Sequence, residues 1–242
     1  MIQGLRVLAV VPARSGSKGI PEKNLARIGG LSLIARAGTT LGQIPWIDRR
    51  VISTDSKLYA EEGRLYGLDA PFLRPAELST DSAGALEAFV HALESCEHLD
   101  GHRYDLLIVA EPTSPLRESD DIESTVNALL STGADSAVTV SRLDTKGHPH
   151  KIFSIVDRRL RYYSAKGAGV TARQSLDPLY SRNGLCYCYR RETLLTKHAL
   201  ITDNTVSVVT ERPVANVDEP LDLLWAEFLL ERAGRLSPTS RV

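Results

Sequence analysis

The sequence contains little cysteine and no excess of either charge. Three of its 242 residues are cysteines, and 29 Lys and Arg stand against 30 Asp and Glu, so the formal net charge is −1. Non-specific binding to nucleic acid or to an anionic membrane depends on an excess of basic residues. The charge balance therefore argues against a nucleic-acid or membrane partner, and an anionic ligand must be held by a few placed cations.

Long hydrophobic runs are also absent, since no segment approaches the roughly 18 uninterrupted apolar residues of a membrane span. The apolar stretch at 5–13 is short and broken by Arg6. It has neither a basic start nor a cleavage site, so we interpret it as a buried strand rather than a leader. Three cysteines cannot all pair, and Cys186 and Cys188 would point to the same face of a strand, as buried thiols do. These features predict a cytoplasmic protein with reduced cysteines.

Short apolar runs alternate with helical patterns along most of the chain, which is typical of an α/β protein with a largely parallel sheet. We predict strands at 7–12, 50–53, 71–73, 105–110, 136–140, 185–189 and 205–209. The predicted helices cover 32–43, 58–66, 83–95, 120–131 and 221–232. Hydrophobic residues make up 43% of the chain, which is enough for one full core. We therefore expect a single domain over 1–234, with an excursion at 141–182 that contains a hairpin at 152–163, and a flexible tail at 235–242.

The first predicted strand leads into a loop, residues 12–24, with the sequence PARSGSKGIPEKN. Ligands of doubly wound sheets bind at the carboxyl ends of the strands. Glycines let the backbone approach an anion closely, and amide N–H groups together with Lys and Arg neutralise it. The loop is neither a Walker A nor a GxGxxG motif, because no Gly-Lys-Ser/Thr ends it and Pro21 blocks an immediate helix. Its position favours phosphate binding, and the alternative is a polar loop with solvated lysines.

Two further polar clusters follow a predicted strand or precede a predicted helix. The segment EPTSPLR at 111–117 places hydroxyls and a guanidinium on a proline-stiffened backbone, and its alternative interpretation is a capped helix start. The segment NVDEPLD at 216–222 precedes the last helix, where Asp218 is either an N-cap or a ligand. Asp218 and Asp222 are four residues apart, and Mg²⁺ prefers a few carboxylates together with water and substrate phosphate.

These clusters resemble the motifs of the CMP-N-acylneuraminate (sialic or nonulosonic acid) synthetases. The loop at 12–24 is similar to the family's opening motif, and 111–117 is similar to its Gln-Pro-Thr-Ser-Pro-Leu-Arg motif. Further similar segments are RPAELSTDS at 74–82, TARQ at 171–174 followed by YSRNG at 180–184, and the late acidic segment at 218–222. Five matches in order over nearly the whole chain make chance agreement a poor explanation.

The resemblance implies a cytidylyltransferase built on a three-layer α/β/α Rossmann-like nucleotidyltransferase domain with a mostly parallel sheet. An enzyme of this family joins CTP to the anomeric hydroxyl of a nonulosonic α-keto acid sugar and releases pyrophosphate. It uses Mg²⁺ (or Mn²⁺) and is usually a homodimer. The excursion at 141–182 would be the dimerisation element and would lend residues to the neighbouring site.

The resemblance also implies roles for individual residues. Nucleotide binding would fall to Arg14, Ser17, Lys18, Lys23, Asn24, Arg74 and Ser82. The sugar acid would lie near Glu111, Arg173, Gln174 and Tyr180. Asp218 and Asp222 would hold the metal, with Glu111 as a further candidate ligand, and Lys18, Arg14 and Asp218 would act in catalysis.

One departure from the family pattern concerns Glu111, because the family typically has Gln at this position. An amide can donate a hydrogen bond to a substrate oxygen, whereas an ionised carboxylate only accepts one and would repel a sugar acid. Glu111 therefore either contacts the metal or marks a different acceptor. The alternative functions are a nucleotidyltransferase acting on another 3-deoxy-ulosonic acid or on a sugar phosphate, and a non-catalytic nucleotide-binding subunit.

Overall fold

A computed structural model describes residues 1–169 and 176–234 of the chain. Its strands are β1 (Val7–Pro12), β2 (Arg27–Ile28), β3 (Leu31–Ser32), β4 (Arg49–Ser53), β5 (Leu106–Val109), β6 (Ser136–Arg142), β7 (Phe153–Val156), β8 (Arg159–Tyr162), β9 (Tyr180–Arg190) and β10 (Thr205–Val209). Its α-helices are α1 (Leu33–Gly42), α2 (Lys57–Leu65), α3 (Ala85–Asp100), α4 (Ser119–Thr132), α5 (Arg191–Leu195) and α6 (Pro220–Arg232).

The central sheet of the described chain has the strand order β10-β6-β9-β5-β1-β4. β1 pairs in parallel with β4 on one side and with β5 on the other, so that Val10 is aligned with Val51 and Val109. β9 runs antiparallel to both β5 and β6, whereas β10 is parallel to β6. β1 and β5 are nearly continuous apolar runs because strands in the middle of such a sheet are buried on both faces.

Helices cover both faces of this sheet. The odd-numbered residues of β1 pack with α1, α2 and α4, and the even-numbered residues pack with α3 and α5. This division follows from the alternation of side chains along a strand. A smaller apolar cluster joins α6 to β2 and to the start of α1. The predicted three-layer α/β/α architecture is confirmed.

The predicted helices and most of the predicted strands are confirmed, but residues 71–73 form no strand. The run is short and begins with Pro71, which cannot donate a hydrogen bond to a sheet ladder. The chain instead passes the end of β4 as a loop. Asp69 forms a single bridge with Val51, and the Arg74 N–H donates to the Thr54 carbonyl at 2.7 Å. This loop carries Arg74 to the carboxyl end of the sheet. A second difference is that β9 begins at Tyr180 rather than at 185.

Between β6 and β9 the described chain leaves the central sheet. β7 and β8 form the hairpin predicted at 152–163, and within the described ranges they pair only with each other. Ile155 and Leu160 lie opposite each other in this hairpin and are 73% and 66% exposed. The division into one domain over 1–234 with an excursion at 141–182 stays a prediction, and the tail at 235–242 lies outside the described residues.

The cysteines behave as buried hydrophobic groups. Cys96, Cys186 and Cys188 are free and buried. Burial raises the pKa of the Cys186 thiol to about 12, so this thiol stays protonated and unreactive near neutral pH. No helix within the described ranges is both long and apolar enough to span a bilayer.

Candidate active site

A cleft of about 540 Å³ lies at the carboxyl ends of β1 and β5. Its walls come from the loop after β1, the segment from Arg74 to Phe89, the residues after β5, and the start of α6. Eight of the residues singled out in the sequence line it: Arg14, Ser17, Lys18, Lys23, Asn24, Arg74, Glu111 and Asp218. A second cavity of about 450 Å³, between α1 and the start of α4, contains none of the predicted site residues.

The loop after β1 is held in place by the neighbouring strand end. The Ala13 N–H donates to the Ser53 carbonyl at 3.0 Å, which extends the pairing of β1 with β4. Asp55 then accepts two hydrogen bonds from Ser15, one from its N–H at 2.7 Å and one from its hydroxyl at 2.5 Å. The buried Asn24 side chain donates to the Arg14 carbonyl at 3.2 Å and so closes the loop. These contacts present the cations of the loop to the cleft.

Asp81 lies across the cleft from the loop and pairs with two of its cations. Arg14 Nη2 and Lys18 Nζ each lie 2.6 Å from one oxygen of the Asp81 carboxylate. The hydrogen bonds from Lys18 and Arg14 hold the pKa of the Asp81 carboxyl below its ordinary value. The carboxylate is therefore ionised at neutral pH.

The loop after β1 also contacts the segment before α6. Lys23 Nζ donates to Asp218 Oδ1 at 2.7 Å, and the lysine side chain is largely buried whereas the carboxylate is exposed. The Gly19 backbone packs against the Asp218 carbonyl so closely that a Cβ on Gly19 would lie 2.3 Å from that oxygen. Only glycine fits this approach without a backbone shift.

Asp222 caps α6 instead of lining the cleft. Its Oδ2 accepts the N–H groups of Asp218 and Glu219 at 2.9 Å and 2.8 Å, and Glu219 completes a capping box. This arrangement satisfies helix N–H groups that have no partner within the helix. Asp222 thus orients the Asp218 backbone, while the Asp218 side chain points to Lys23.

Arg74 and Ser82 differ in their relation to the cleft. Arg74 is buried, and its guanidinium donates to the hydroxyl and the carbonyl of Ser53 at the end of β4. Burial lowers the pKa of Arg74 to about 10, so the group remains charged at neutral pH. Ser82 is exposed, lies beside the residues that line the cleft, and exchanges a hydrogen bond with the Thr80 hydroxyl at 3.3 Å.

Glu111 lies at the floor of the cleft against β9. A Cβ on Gly184 would lie 2.6 Å from Glu111 Oε2 and 2.3 Å from the Ser114 hydroxyl, and Gly184 has a positive φ of 71°. Burial raises the pKa of the Glu111 carboxyl, and the positive charges of Arg117 and Arg182 oppose this shift. Because Gly184 belongs to β9, this antiparallel strand packs directly against the Glu111 carboxylate.

Arg117, the guanidinium of the 111–117 cluster, is buried and connects that cluster to β9. It donates to the carbonyls of Glu111, Gly184 and Leu185. Burial lowers its pKa to about 10. Its contacts are with backbone carbonyls, and it does not line the cleft at the end of β1.

Among the remaining predicted sugar-binding residues, Tyr180 is the one that the structure describes. Tyr180 opens β9 opposite Arg142, is half exposed, and does not line the cleft. Arg173 and Gln174 lie outside the described residues. The sugar-binding roles of all three stay predictions.

The carboxylates of Asp218 and Glu111 both line the cleft, and the negative charge of Asp218 adds to the rise in the pKa of Glu111. No group of three or more His, Cys, Asp or Glu with the arrangement of a metal site is found among residues 1–169 and 176–234. A cation that uses one or two carboxylates plus substrate phosphate fits this donor set, and Mg²⁺ is such a cation.

Two residues of the site were missed by the sequence reasoning. Asp55 holds the loop after β1, and Asp81 holds two of its cations. Asp55 follows the second strand of the predicted sheet at its carboxyl end, which is the signal that marks it. Asp81 lies inside the motif at 74–82, and only its ion pairs with Arg14 and Lys18 in the folded chain distinguish it from its neighbours.

Two solved structures share the fold. The structure of CMP:2-keto-3-deoxy-manno-octonic acid synthetase complexed with CTP has a TM-score of 0.68 and 18% identity over 94% of this chain and 99% of its own. The 4-diphosphocytidyl-2C-methyl-D-erythritol synthase of Anaerococcus prevotii has a TM-score of 0.60 and 16% identity over 95% of this chain and its own full length. The chain therefore shares the Rossmann-like α/β fold of these two structures.

The family model described as cytidylyltransferase matches residues 8–236, and the chain belongs to this family. The CMP-N,N'-diacetyllegionaminic acid synthase of Legionella pneumophila is 28% identical over 94% of this chain and 97% of its own length. The post-translational flagellin modification protein B of Campylobacter coli is 29% identical over 93% and 95%. The N-acylneuraminate cytidylyltransferase of Streptococcus agalactiae is 30% identical over 83% of this chain and 47% of its own length. The resemblance stated from the motifs is confirmed.

Proposed function

We propose that this cytidylyltransferase joins CTP to the anomeric hydroxyl of a nonulosonic α-keto acid sugar and releases pyrophosphate. The observation that carries the proposal is that Arg14, Lys18 and Lys23 meet residues of the 74–89 segment and the residues that follow β5 in one cleft. The hydroxyl oxygen attacks the α-phosphorus, the bond from that phosphorus to the bridging oxygen breaks, and pyrophosphate leaves with the electron pair. The hydroxyl proton passes to solvent.

The chain's own residues supply positioning and charge neutralisation, which are the main contributions of proteins to phosphoryl transfer. Arg14 and Lys18 project from the loop after β1 toward the cleft and would neutralise the triphosphate and the leaving pyrophosphate. Asn24 and Arg74 are buried and therefore suited to hold the nucleoside in one orientation. Ser17 and Lys23 line the same cleft.

A magnesium ion (or Mn²⁺) fits the donor set of the cleft. Asp218 would hold it, with Glu111 as a second carboxylate. Asp222 would position Asp218, because its carboxylate accepts a hydrogen bond from the Asp218 N–H. When bound, the ion supplies further neutralisation of the triphosphate charge. An equally supported role for Glu111 is the selection of an acceptor other than sialic acid.

The acceptor is tested by measuring pyrophosphate release with CTP and Mg²⁺ against a panel of sialic, legionaminic, pseudaminic and 3-deoxy-octulosonic acids. We expect turnover with one of the nine-carbon acids and with CTP but not with UTP, ATP or GTP. Turnover with the eight-carbon acid alone would instead support the alternative ulosonic acid. CTP binding without turnover on any acceptor or sugar phosphate would support a non-catalytic subunit.

We further propose that the enzyme is a homodimer held by the β7–β8 hairpin. The hairpin exposes apolar side chains on a two-stranded sheet, and such isolated hairpins are marginal in water without a partner surface. The proposal includes residues of the excursion, Arg173 and Gln174 among them, in the neighbouring site. Light scattering of the purified protein should give the dimer mass, and Ile155→Ser with Leu160→Ser should give the monomer mass. Leu65→Ser, at an exposed position on α2, is the control. A monomeric wild-type protein would refute the proposal.

A cytoplasmic location is the last part of the proposal. Three buried free thiols support it, because an oxidising compartment favours disulfides. Detection of the protein in the cytoplasmic fraction of cells that make it, and not in the secreted fraction, is the expected result.

A further inference from the structure

One carboxylate binds two cations that the proposed function assigns to the triphosphate. Asp81 Oδ1 accepts from Arg14 Nη2 and Asp81 Oδ2 lies against Lys18 Nζ, each at 2.6 Å. Both oxygens of the carboxylate are therefore used, one by each cation. Within residues 1–169 and 176–234, the hydrogen bonds to this carboxylate come from these two side chains.

An oxyanion held by Arg and Lys at this distance has the chemistry of a bound phosphate. Carboxylate and phosphate oxygens accept the same charge-assisted hydrogen bonds from guanidinium and ammonium groups. A phosphate placed between Arg14 and Lys18 would meet the negative charge of Asp81, and like charges at contact distance repel. The two anions therefore compete for the same donors.

Asp81 also belongs to a wall of the cleft that has no regular structure. It lies between a short helical turn that ends at Leu78 and the start of α3 at Ala85. Thr80, Asp81, Ala83 and Gly84 line the cleft opposite the loop after β1. The Asp81 ion pairs thus connect the two sides of the cleft mouth.

We propose that Asp81 occupies a phosphate position of the cleft in the nucleotide-free protein and that the triphosphate replaces it on binding. This inference rests on the proposed function for the identity of the ligand. Asp81 acts through Arg14 and Lys18: its carboxylate pairs with both cations, and the loss of these ion pairs is a cost that the nucleotide must offset. When the triphosphate takes the place of Asp81, the segment that contains Asp81 loses its ion pairs with the loop after β1.

The test compares Asp81→Asn with Glu77→Gln. Glu77 is exposed on the same segment, so its variant makes the same change in net charge without touching either cation. Binding of CTP and of inorganic tripolyphosphate is measured by titration calorimetry at about 50 mM and about 300 mM NaCl. Because Asp81→Asn removes an anion that pairs with two cations of the cleft, we expect it to lower both dissociation constants about fivefold at low salt. The gain should shrink at high salt, and Glu77→Gln should change affinity less than about twofold.

Steady-state kinetics give a second readout that a purely structural role would not produce. Asp81→Asn should lower KM for CTP by about the same factor as it lowers the dissociation constant, and Asp81→Ala should behave in the same way. The inference would be overturned if Asp81→Asn has the wild-type melting temperature but binds tripolyphosphate no more tightly than Glu77→Gln does. If wild-type protein turns over CTP while Asp81→Asn binds tripolyphosphate no tighter, the proposed function stands and the inference about Asp81 fails. Tighter tripolyphosphate binding without CTP turnover in any variant would support the role of Asp81 and refute the proposed function.

Discussion

The contact between Gly19 and Asp218 allows a prediction whose size can be taken from the structure. A Cβ added to Gly19 would lie 2.3 Å from the Asp218 carbonyl oxygen, whereas ordinary contact begins at 3.4 Å. The opposing atom belongs to the backbone and cannot rotate away. Gly19→Ala must therefore separate the loop after β1 from the segment before α6 by about 1 Å.

This separation affects the loop after β1 and the segment before α6, both of which line the cleft. The 2.7 Å ion pair between Lys23 and Asp218 joins the same two segments, so its geometry changes with them. A misplacement of about 1 Å costs about a hundredfold in rate when catalysis depends on positioning. The added methyl group destabilises the fold by about 1–3 kcal/mol, and the reduced freedom of the unfolded chain offsets about 0.4–1 kcal/mol of this loss. The variant should therefore stay folded and lose activity.

The assay is the initial rate of pyrophosphate release at saturating and limiting CTP, together with thermal unfolding. Gly42→Ala in α1 is the matched control, because its Cβ meets nothing within 4 Å and its φ is not positive. That control should keep wild-type kinetics. A folded Gly19→Ala enzyme with kcat/KM within about threefold of wild type would refute the reasoning.

Three further predictions concern single side chains. Lys18→Ala should remove about 3 kcal/mol of transition-state stabilisation, on the order of a hundredfold in rate, and unchanged turnover would refute its assignment. Glu111→Gln should shift metal dependence or acceptor preference, and identical kinetics across metals and acceptors would contradict this. Burial would raise the pKa of Glu97, but the 2.8 Å and 3.0 Å hydrogen bonds from Arg191 outweigh it and hold this pKa below its ordinary value. Glu97→Gln should therefore cost about 1.5–3 kcal/mol of unfolding free energy at neutral pH. The difference from wild type should disappear as the pH falls through the lowered pKa, and a difference that persists in denaturant titrations near pH 2 would contradict the assignment.

The fold class and most of the site residues could be predicted without the structure. Apolar runs and helical periodicity are local properties of the chain, and they predict β1, β5 and the helices that cover them. The loop at 12–24 and the segment at 216–222 carry their polar residues in short motifs, so both could be assigned to a site before their distance was known. The strand predicted at 71–73 was wrong, because a three-residue run with a proline carries too little local signal to outweigh its tertiary contacts.

Local patterns in the sequence predicted the α/β fold, and the resemblance of its motifs to a known family predicted a cytidylyltransferase and eight of the residues that line the cleft. The tertiary structure alone decided how these residues pair. It placed Asp81 between Arg14 and Lys18, and Gly184 of an antiparallel strand against Glu111. Each of these contacts joins segments far apart in the chain, with charges and close approaches that no local pattern records. Ion pairing and packing depend on distance in space, and only the folded chain sets that distance.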